Sequence, residues 1–381
     1  MSEYQYYEFQ AVDRPLTDRE MVELRSHSTR ARITPTSFVN DYSWGSFKGN
    51  QDVWMEKYFD AFLYFANWGT RTFQLRLPAR ALSLKTVHLY CIGDQASARV
   101  KNGSLILSFW SEDEEEGNEW LEAEGILSSL ISVRAELARG DLRALYLGWL
   151  LCAQNGELDD DDVEPPVPPG LAQPSVSLER FAGFFRIDPD LIHVAAGASP
   201  LREDTTPKLP ELRAWVAKLP AAEKDDLLAR TMAGEHTMIA NELIQRLTRE
   251  QVGRNPSGAP GKRRTVRDLL DQAEQAAEER QRLNAERAAK EKARRAQEAA
   301  IARTKHLDAI AGNEPKLWKQ VESLVATKQP KKYDFAVKLL VDLRDLAKRE
   351  NSATFRRQLE ELRTQHAGKP SLIERLRRGG L

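Results

Sequence analysis

The feature that most constrains this chain is a long stretch of helix-forming residues in its second half. From residue 263 to residue 311 the sequence is dominated by Ala, Glu, Lys, Arg and Gln and contains neither Gly nor Pro. These residue types have high helix propensity, so the stretch predicts one long helix. Between Leu270 and Ile301 its apolar content is alanines and Leu283, which predicts an exposed helix. The helix lacks the heptads of Leu or Ile that fill the core of a stable coiled coil. A weak coiled coil, through which two copies of the chain associate, is an alternative to a solitary exposed helix.

Charge divides the chain near the start of this helix. Residues 1–261 hold 27 Lys and Arg against 39 Asp and Glu, whereas residues 262–381 hold 29 against 18. The two parts therefore carry formal charges of -12 and +11, which nearly cancel in the total of -1. This asymmetry favours either an acidic partner for the C-terminal part, nucleic acid being one, or mutual attraction of the two parts.

The first 154 residues predict a small α+β domain. An aromatic-rich strand over residues 4–12 precedes a helix, for which Thr17 and Glu20 have the spacing of a capping box. Aromatic residues at helical spacing predict a helix over 51–67, with Trp54, Tyr58 and Phe62 in the core. Further strands are predicted over 72–77, 87–92 and 104–110, and further helices over 118–138 and 141–154.

Two segments of linker composition divide the rest of the chain. Residues 155–175 combine an aspartate run with a proline-rich run, and residues 251–262 contain Gly and Pro, so both predict linkers. Between them, residues 176–250 predict a domain of short helices. After the long helix of 263–311, apolar residues at helical spacing predict a small helical bundle over 312–381. The fold class is thus an α+β N-terminal domain followed by all-α helical modules and a long exposed helix.

Two helical segments resemble a known protein family. Residues 332–381 include the run YDFAVKLLVDLRDL from position 333 and end in Gly380 and Leu381; they resemble the helical tail of bacterial SWIM-type zinc-finger proteins. Residues 214–247 are similar to another helical segment of those proteins. The C-x-C and C-x-H zinc ligands of the family are missing from this sequence, so the resemblance implies no zinc site. The N-terminal part resembles an uncharacterised bacterial family, which implies no activity.

Motifs for metal or phosphate chemistry are incomplete. His88 and Cys91 have a spacing found in metal sites, but they would lie on opposite faces of a strand and no second pair is near in sequence. The acidic runs at 112–116 and 159–162 lack the Gly-directed spacing of a calcium loop. Residues 258–262 fall short of a phosphate loop, because Arg263 replaces the Ser or Thr. We therefore predict no catalytic residue, no metal and no cofactor.

Basic residues form the candidate binding surface. A row of cations neutralises phosphates without reading base sequence. An exposed helix balanced by its own glutamates explains the same pattern, with Glu286 placed to pair with Lys290 and Glu291 placed to pair with Arg295. The candidates for binding nucleic acid or a protein partner are Lys262, Arg263, Arg264, Arg267, Lys290, Lys292, Arg294, Arg295, Lys331, Lys332, Arg377 and Arg378.

These observations predict a non-enzymatic interaction or scaffold protein of a bacterial cytoplasmic complex, with a protein partner. Two alternatives stay open, namely a nucleic-acid-associated accessory factor that uses the basic arm and an enzyme with an unrecognised site in the N-terminal domain. The chain has only two cysteines, which fits the reducing cytoplasm. It has no apolar run of the roughly 20 residues that cross a bilayer, so we predict a cytoplasmic protein without membrane contact.

Overall fold

The chain folds into two packed units, Met1–Glu279 (unit 1) and Arg280–Leu381 (unit 2). The computed structural model describes residues 4–45, 47–112, 123–201, 209–232, 263–349 and 354–381, together with residues 239, 243, 246 and 247. Unit 1 combines a sheet with helices, and the described residues of unit 2 are helical. The predicted fold class is confirmed.

A seven-stranded antiparallel sheet organises unit 1, with strand order β2-β3-β1-β4-β5-β7-β6. Its strands are β1 (Gln5–Gln10), β2 (Arg32–Thr34), β3 (Ser37–Tyr42), β4 (Ala61–Ala66), β5 (Arg71–Pro78), β6 (Ala96–Lys101) and β7 (Ser104–Ser111). In the centre of the sheet Phe9 of β1 pairs with Phe62 of β4. Their rings stack with centroids 4.3 Å apart.

Eleven helices begin in the described part of unit 1. They are α1 (Asp18–His27), α2 (Gln51–Lys57), α3 (Leu84–Val87), α4 (Ile126–Leu130), α5 (Ser132–Ala138), α6 (Arg143–Gln154), α7 (Val176–Phe184), α8 (Pro189–Ala196), α9 (Leu209–Ala217), α10 (Ala221–Arg230) and α11 (Val266–Ile310). Thr17 caps α1 through the predicted capping box with Glu20.

Alternate residues of the strands supply two cores, because successive side chains of a strand point to opposite faces. In β4, Leu63 and Phe65 belong to one core and Phe62 to the other. The first core also contains residues of helices α4 to α8 and the start of α11, and the second contains residues of α1 and α2. Both faces of the sheet are therefore covered.

The predicted helix over 51–67 is wrong in its second half. Helix α2 ends at Lys57 and strand β4 follows. Five of the six residues of β4 are buried, and a continuous apolar run of this kind does not distinguish a strand from a buried helix. Trp54, Tyr58 and Phe62 are nonetheless only 3%, 5% and 0% exposed, so their predicted place in the core is confirmed.

The predicted strand over 87–92 is also wrong. Helix α3 and a turn cover these residues, and Val87, Tyr90 and Cys91 are buried while His88 is exposed. The buried positions are three and four apart, which is the spacing of helical turns. Strands β2, β3 and β6 had no predicted counterpart. The helix predicted over 118–138 is divided into α4 and α5, and its residues 118–122 lie outside the described residues.

Residues 155–175 do not form the predicted linker. Leu171 is 2% exposed and packs in the same core as the sheet, and Val163 forms a β-bridge with Thr265. Helix α7 follows in that core, where the Phe181 ring lies 5.0 Å from that of Phe109. The prediction was wrong because composition does not reveal that this backbone finds tertiary partners. The second predicted linker, 251–262, lies outside the described residues.

Unit 2 contains the bundle predicted for residues 312–381. Its helices after α11 are α12 (Glu314–Ala326), α13 (Pro330–Arg349), α14 (Thr354–Gln365) and α15 (Pro370–Arg378). They share a core that includes Val321, Leu340, Leu359 and Leu376. No helix in the described part of the chain has the length and apolarity to cross a membrane.

Helix α11 is exposed over most of its length, as predicted, and its two ends are packed. Val266 and Leu269 are buried in the core of unit 1. In unit 2, Leu307 is buried, and Arg303 donates to Asp345 Oδ2 over 2.6 Å. Ion pairs thus help to hold the end of α11 on α13.

Candidate functional site

The structure places the predicted basic residues in settings that differ sharply. Lys262 lies outside the described residues. Arg264 is part of a buried ion pair, whereas the other described candidates are exposed. The exposed candidates divide again into arginines paired with carboxylates of the chain and basic residues without such a pair.

Arg264 is a structural residue, which corrects its predicted place on the binding surface. Its Nη2 and Nε atoms lie 2.7 and 2.9 Å from the two carboxylate oxygens of Glu164, and its Nη1 donates to the Val194 carbonyl over 2.9 Å. Glu164 is 4% exposed and also accepts a hydrogen bond from the Tyr146 hydroxyl over 2.5 Å. Burial and the neighbouring Glu164 raise the pKa of Tyr146. This network engages all three guanidinium nitrogen atoms of Arg264 and ties the residues before α11 to the rest of unit 1.

The arginines in the middle of α11 are balanced by glutamates of the same helix. Arg294 pairs with Glu291 at 2.8 Å and with Glu298 at 2.9 Å, and Arg295 pairs with Glu291 at 2.8 Å. The hydrogen bond from Arg294 is the first cause of the lowered pKa of Glu291. Exposed pairs of this kind contribute little to stability, but their carboxylates repel an approaching phosphate.

Three further predicted arginines also have carboxylate partners. Arg267 pairs with Asp160. Arg378 and Arg377 lie 2.9 and 3.6 Å from Glu374. Most arginines of the predicted surface are therefore engaged by the chain itself.

The exposed candidates without an ion pair to any described residue are Arg263, Lys290, Lys292, Lys331 and Lys332. Lys331 and Lys332 adjoin a cavity of unit 2. They occupy the first turn of α13, between two residues that line it, Pro330 and Tyr333.

This cavity has a volume of about 520 Å³ and lies in unit 2. It is lined by Lys328, Pro330, Tyr333, Gln365, His366, Gly368, Lys369, Pro370 and Ser371. We call the cavity, together with the adjoining Lys331 and Lys332, the basic pocket. Its lining combines cations with proline rings and a tyrosine, which suits a ligand with one acidic group and some apolar surface.

Two helix starts shape the basic pocket. Helix α13 begins at Pro330, and helix α15 has Pro370 at its first position, where the fixed φ of proline favours a helix start. Lys328 turns the chain before α13 with a φ of +57°. Helix N-termini carry partial positive charge, which adds to the charge of the lysines.

Three basic side chains line the cavity itself, those of Lys328, His366 and Lys369. Lys369 donates from Nζ to the Val325 carbonyl over 2.9 Å, and no carboxylate in the described part of the chain pairs with Lys328. The pKa of His366 is lowered, first by burial and then by Lys369, while Glu322 acts in the opposite direction. The positive charges of the pocket thus already influence one of its own groups.

Sequence reasoning located Lys331 and Lys332 but missed Lys328, His366 and Lys369. The three missed residues share one feature of the sequence: each is a basic residue that precedes, by at most four positions, a proline at the start of a helix. The packing of α13 against α15 brings the two prolines to one cavity. This contact joins residues that are far apart in the sequence, so no short sequence pattern predicts it.

Other candidate chemistries find little support in the described residues. Among the described residues, no three or more His, Cys, Asp or Glu side chains lie together in a group that could hold a metal ion. His88 is exposed and Cys91 is buried, so the two do not face one site. Burial raises the pKa of Cys91 and of Cys152 to about 12, which keeps both thiols protonated near neutral pH.

The basic pocket is therefore the site with the clearest chemical preference, namely for an anionic group. Its lysines supply charge, and its tyrosine supplies a hydroxyl. No protein-family model, curated protein or solved structure matches this chain.

Proposed function

We propose that this chain is a non-enzymatic interaction protein of the cytoplasm, and that the basic pocket of unit 2 binds an acidic segment of a partner protein. The observation that supports the proposal is that Lys328, Lys331 and Lys332 lie together at this cavity without an ion pair to any described residue. These three lysines line or adjoin a cavity and pair with no carboxylate in the described part of the chain. Unpaired charges beside a concave surface supply both attraction and specificity for a partner of opposite sign.

The pocket favours an acidic protein segment over duplex nucleic acid. A duplex is bound by many cations spread along its backbone, whereas Arg294, Arg295 and Arg378 are held by glutamates of this chain. The pocket is concave and includes Tyr333 and two prolines. Such a lining suits a side chain or a short extended segment.

Nucleic acid stays the second candidate because of the residues outside the pocket. Arg263, Lys290 and Lys292 are exposed and have no ion pair to a described residue. Within unit 2, Lys290, Lys292, Lys331 and Lys332 would give a polyanion a weak, sequence-independent surface.

Fluorescence anisotropy with the full chain tests the proposed function. Labelled poly-glutamate peptide should bind saturably at low salt and should dissociate as salt rises, because exposed charges are screened. Labelled duplex DNA of equal charge is the comparison, and we expect it to bind more weakly. Absence of peptide binding at low salt, or tighter binding of the duplex, would contradict the proposal.

A further inference from the structure

The basic pocket contains three kinds of hydrogen-bond donor: lysine side chains, a tyrosine hydroxyl and a backbone amide. This combination favours a ligand with several acceptor oxygens. We propose that the pocket is a binding site for a phosphate monoester, held by Lys328, Tyr333, Lys369 and the N-terminus of α15. This inference rests on the proposed function, which it deepens by naming the acidic group that the partner presents. A phosphate monoester carries a charge of nearly -2 and three acceptor oxygens, so it can accept hydrogen bonds from several donors at once. A single carboxylate has less charge and fewer oxygens to accept them.

Tyr333 points to a ligand independently of charge. It is 5% exposed, it lines the cavity, and its hydroxyl makes no hydrogen bond to another described residue. A hydroxyl at the wall of a cavity without a protein partner is a donor for whatever enters that cavity.

The start of α15 supplies a second neutral donor. Helix α15 has nine residues, and its N-cap Lys369 makes no side-chain capping bond. Pro370 has no amide proton, and the Ser371 amide makes no hydrogen bond within the described part of the chain. Ser371 also lines the cavity. A free amide at a helix N-terminus is a favourable position for an oxyanion.

Charge at the cavity completes the site. Lys328 and Lys369 are the lining lysines, and His366 also lines the cavity, with Lys369 and Glu322 as the charges that act on it. A bound dianion should raise the pKa of His366. Binding should therefore strengthen as the pH falls through the titration of His366 and weaken as the pH rises through it. Sulfate is the probe for this effect, because it stays a dianion throughout that range.

Titration calorimetry of the full chain with inorganic phosphate tests the inference. Tyr333→Phe keeps the buried ring and removes the hydroxyl, and it should weaken phosphate binding about tenfold. Lys328→Asn removes the charge while suiting the positive φ, and it should weaken binding roughly fivefold. Lys305→Gln, which removes an exposed lysine of α11 outside the candidate binding residues, is the matched control and should leave binding unchanged.

The outcomes separate this inference from the proposed function. Saturable phosphate binding that is weakened by Tyr333→Phe and Lys328→Asn, and shared by O-phosphoserine, supports the inference. No saturable binding, equal binding by the control and both pocket variants, or rejection of O-phosphoserine overturns it. Poly-glutamate binding is measured on the same samples: if it persists while phosphate binding is absent, the proposed function stands and only the phosphate inference fails. Circular dichroism melting confirms that each variant is folded.

Discussion

Replacing Arg264 with Gln should lower the free energy of unfolding of unit 1 by about 3 to 5 kcal/mol, because it leaves the buried Glu164 without its charge partner. Glu164 is 4% exposed, and Arg264 approaches it with two nitrogen atoms. Removing one member of a buried pair costs much more than removing an exposed charge. Denaturant unfolding measures the loss, and hydrogen exchange of the strand amides assigns it to unit 1.

The neighbouring Arg263 provides the control for this substitution. Arg263 is exposed, so Arg263→Gln should change the free energy of unfolding by no more than about 0.5 kcal/mol. If both substitutions have equally small effects, the ion pair of Arg264 with Glu164 does not anchor α11, and Arg264 returns to the set of surface candidates.

Replacing Phe62 with Ala should cost about 3 to 5 kcal/mol, because it leaves a cavity in the second core of the sheet. Phe62 is 0% exposed and stacks on Phe9. Trp44→Ala is the control in the same unit, since Trp44 is 69% exposed and its loss should have a small effect. A Phe62→Ala variant with an unchanged melting temperature and lost partner binding would show instead that this aromatic cluster is an interface.

The sequence predicted the elements whose residues follow a clear period or a specific cap. The capping box of Thr17 and Glu20, the alternation in β5 and the composition of α11 are local features, and the structure has each of them. The aromatic run before Gly69 is different, because β4 is buried on both faces and has no period of its own. Its burial was predictable, whereas its secondary structure depends on pairing with β1 and β5.

The candidate site was less predictable because it depends on contacts between distant residues. Arg264 and Arg294 have the same side chain in similar basic surroundings, but Arg264 finds Glu164 one hundred positions away and Arg294 finds glutamates of its own helix. The sequence predicted the second pairing type from i,i+4 spacing. It contains no comparable signal for the first, and none for the meeting of Lys328 with Lys369 at one cavity.

Under the proposed function, the lysines at the basic pocket, and not the arginines of the long helix, bind an acidic partner. The most direct measurement compares poly-glutamate binding by two full-length variants that each lose three charges. Lys328→Asn with Lys331→Gln and Lys332→Gln removes the pocket charges, and Lys290→Gln with Arg294→Gln and Arg295→Gln removes those of α11. Gln keeps helix propensity, so both variants should stay folded. We expect the pocket variant to bind poly-glutamate about tenfold more weakly and the α11 variant to bind as the unmodified chain does. The reverse order, or equal losses in both variants, would contradict the claim.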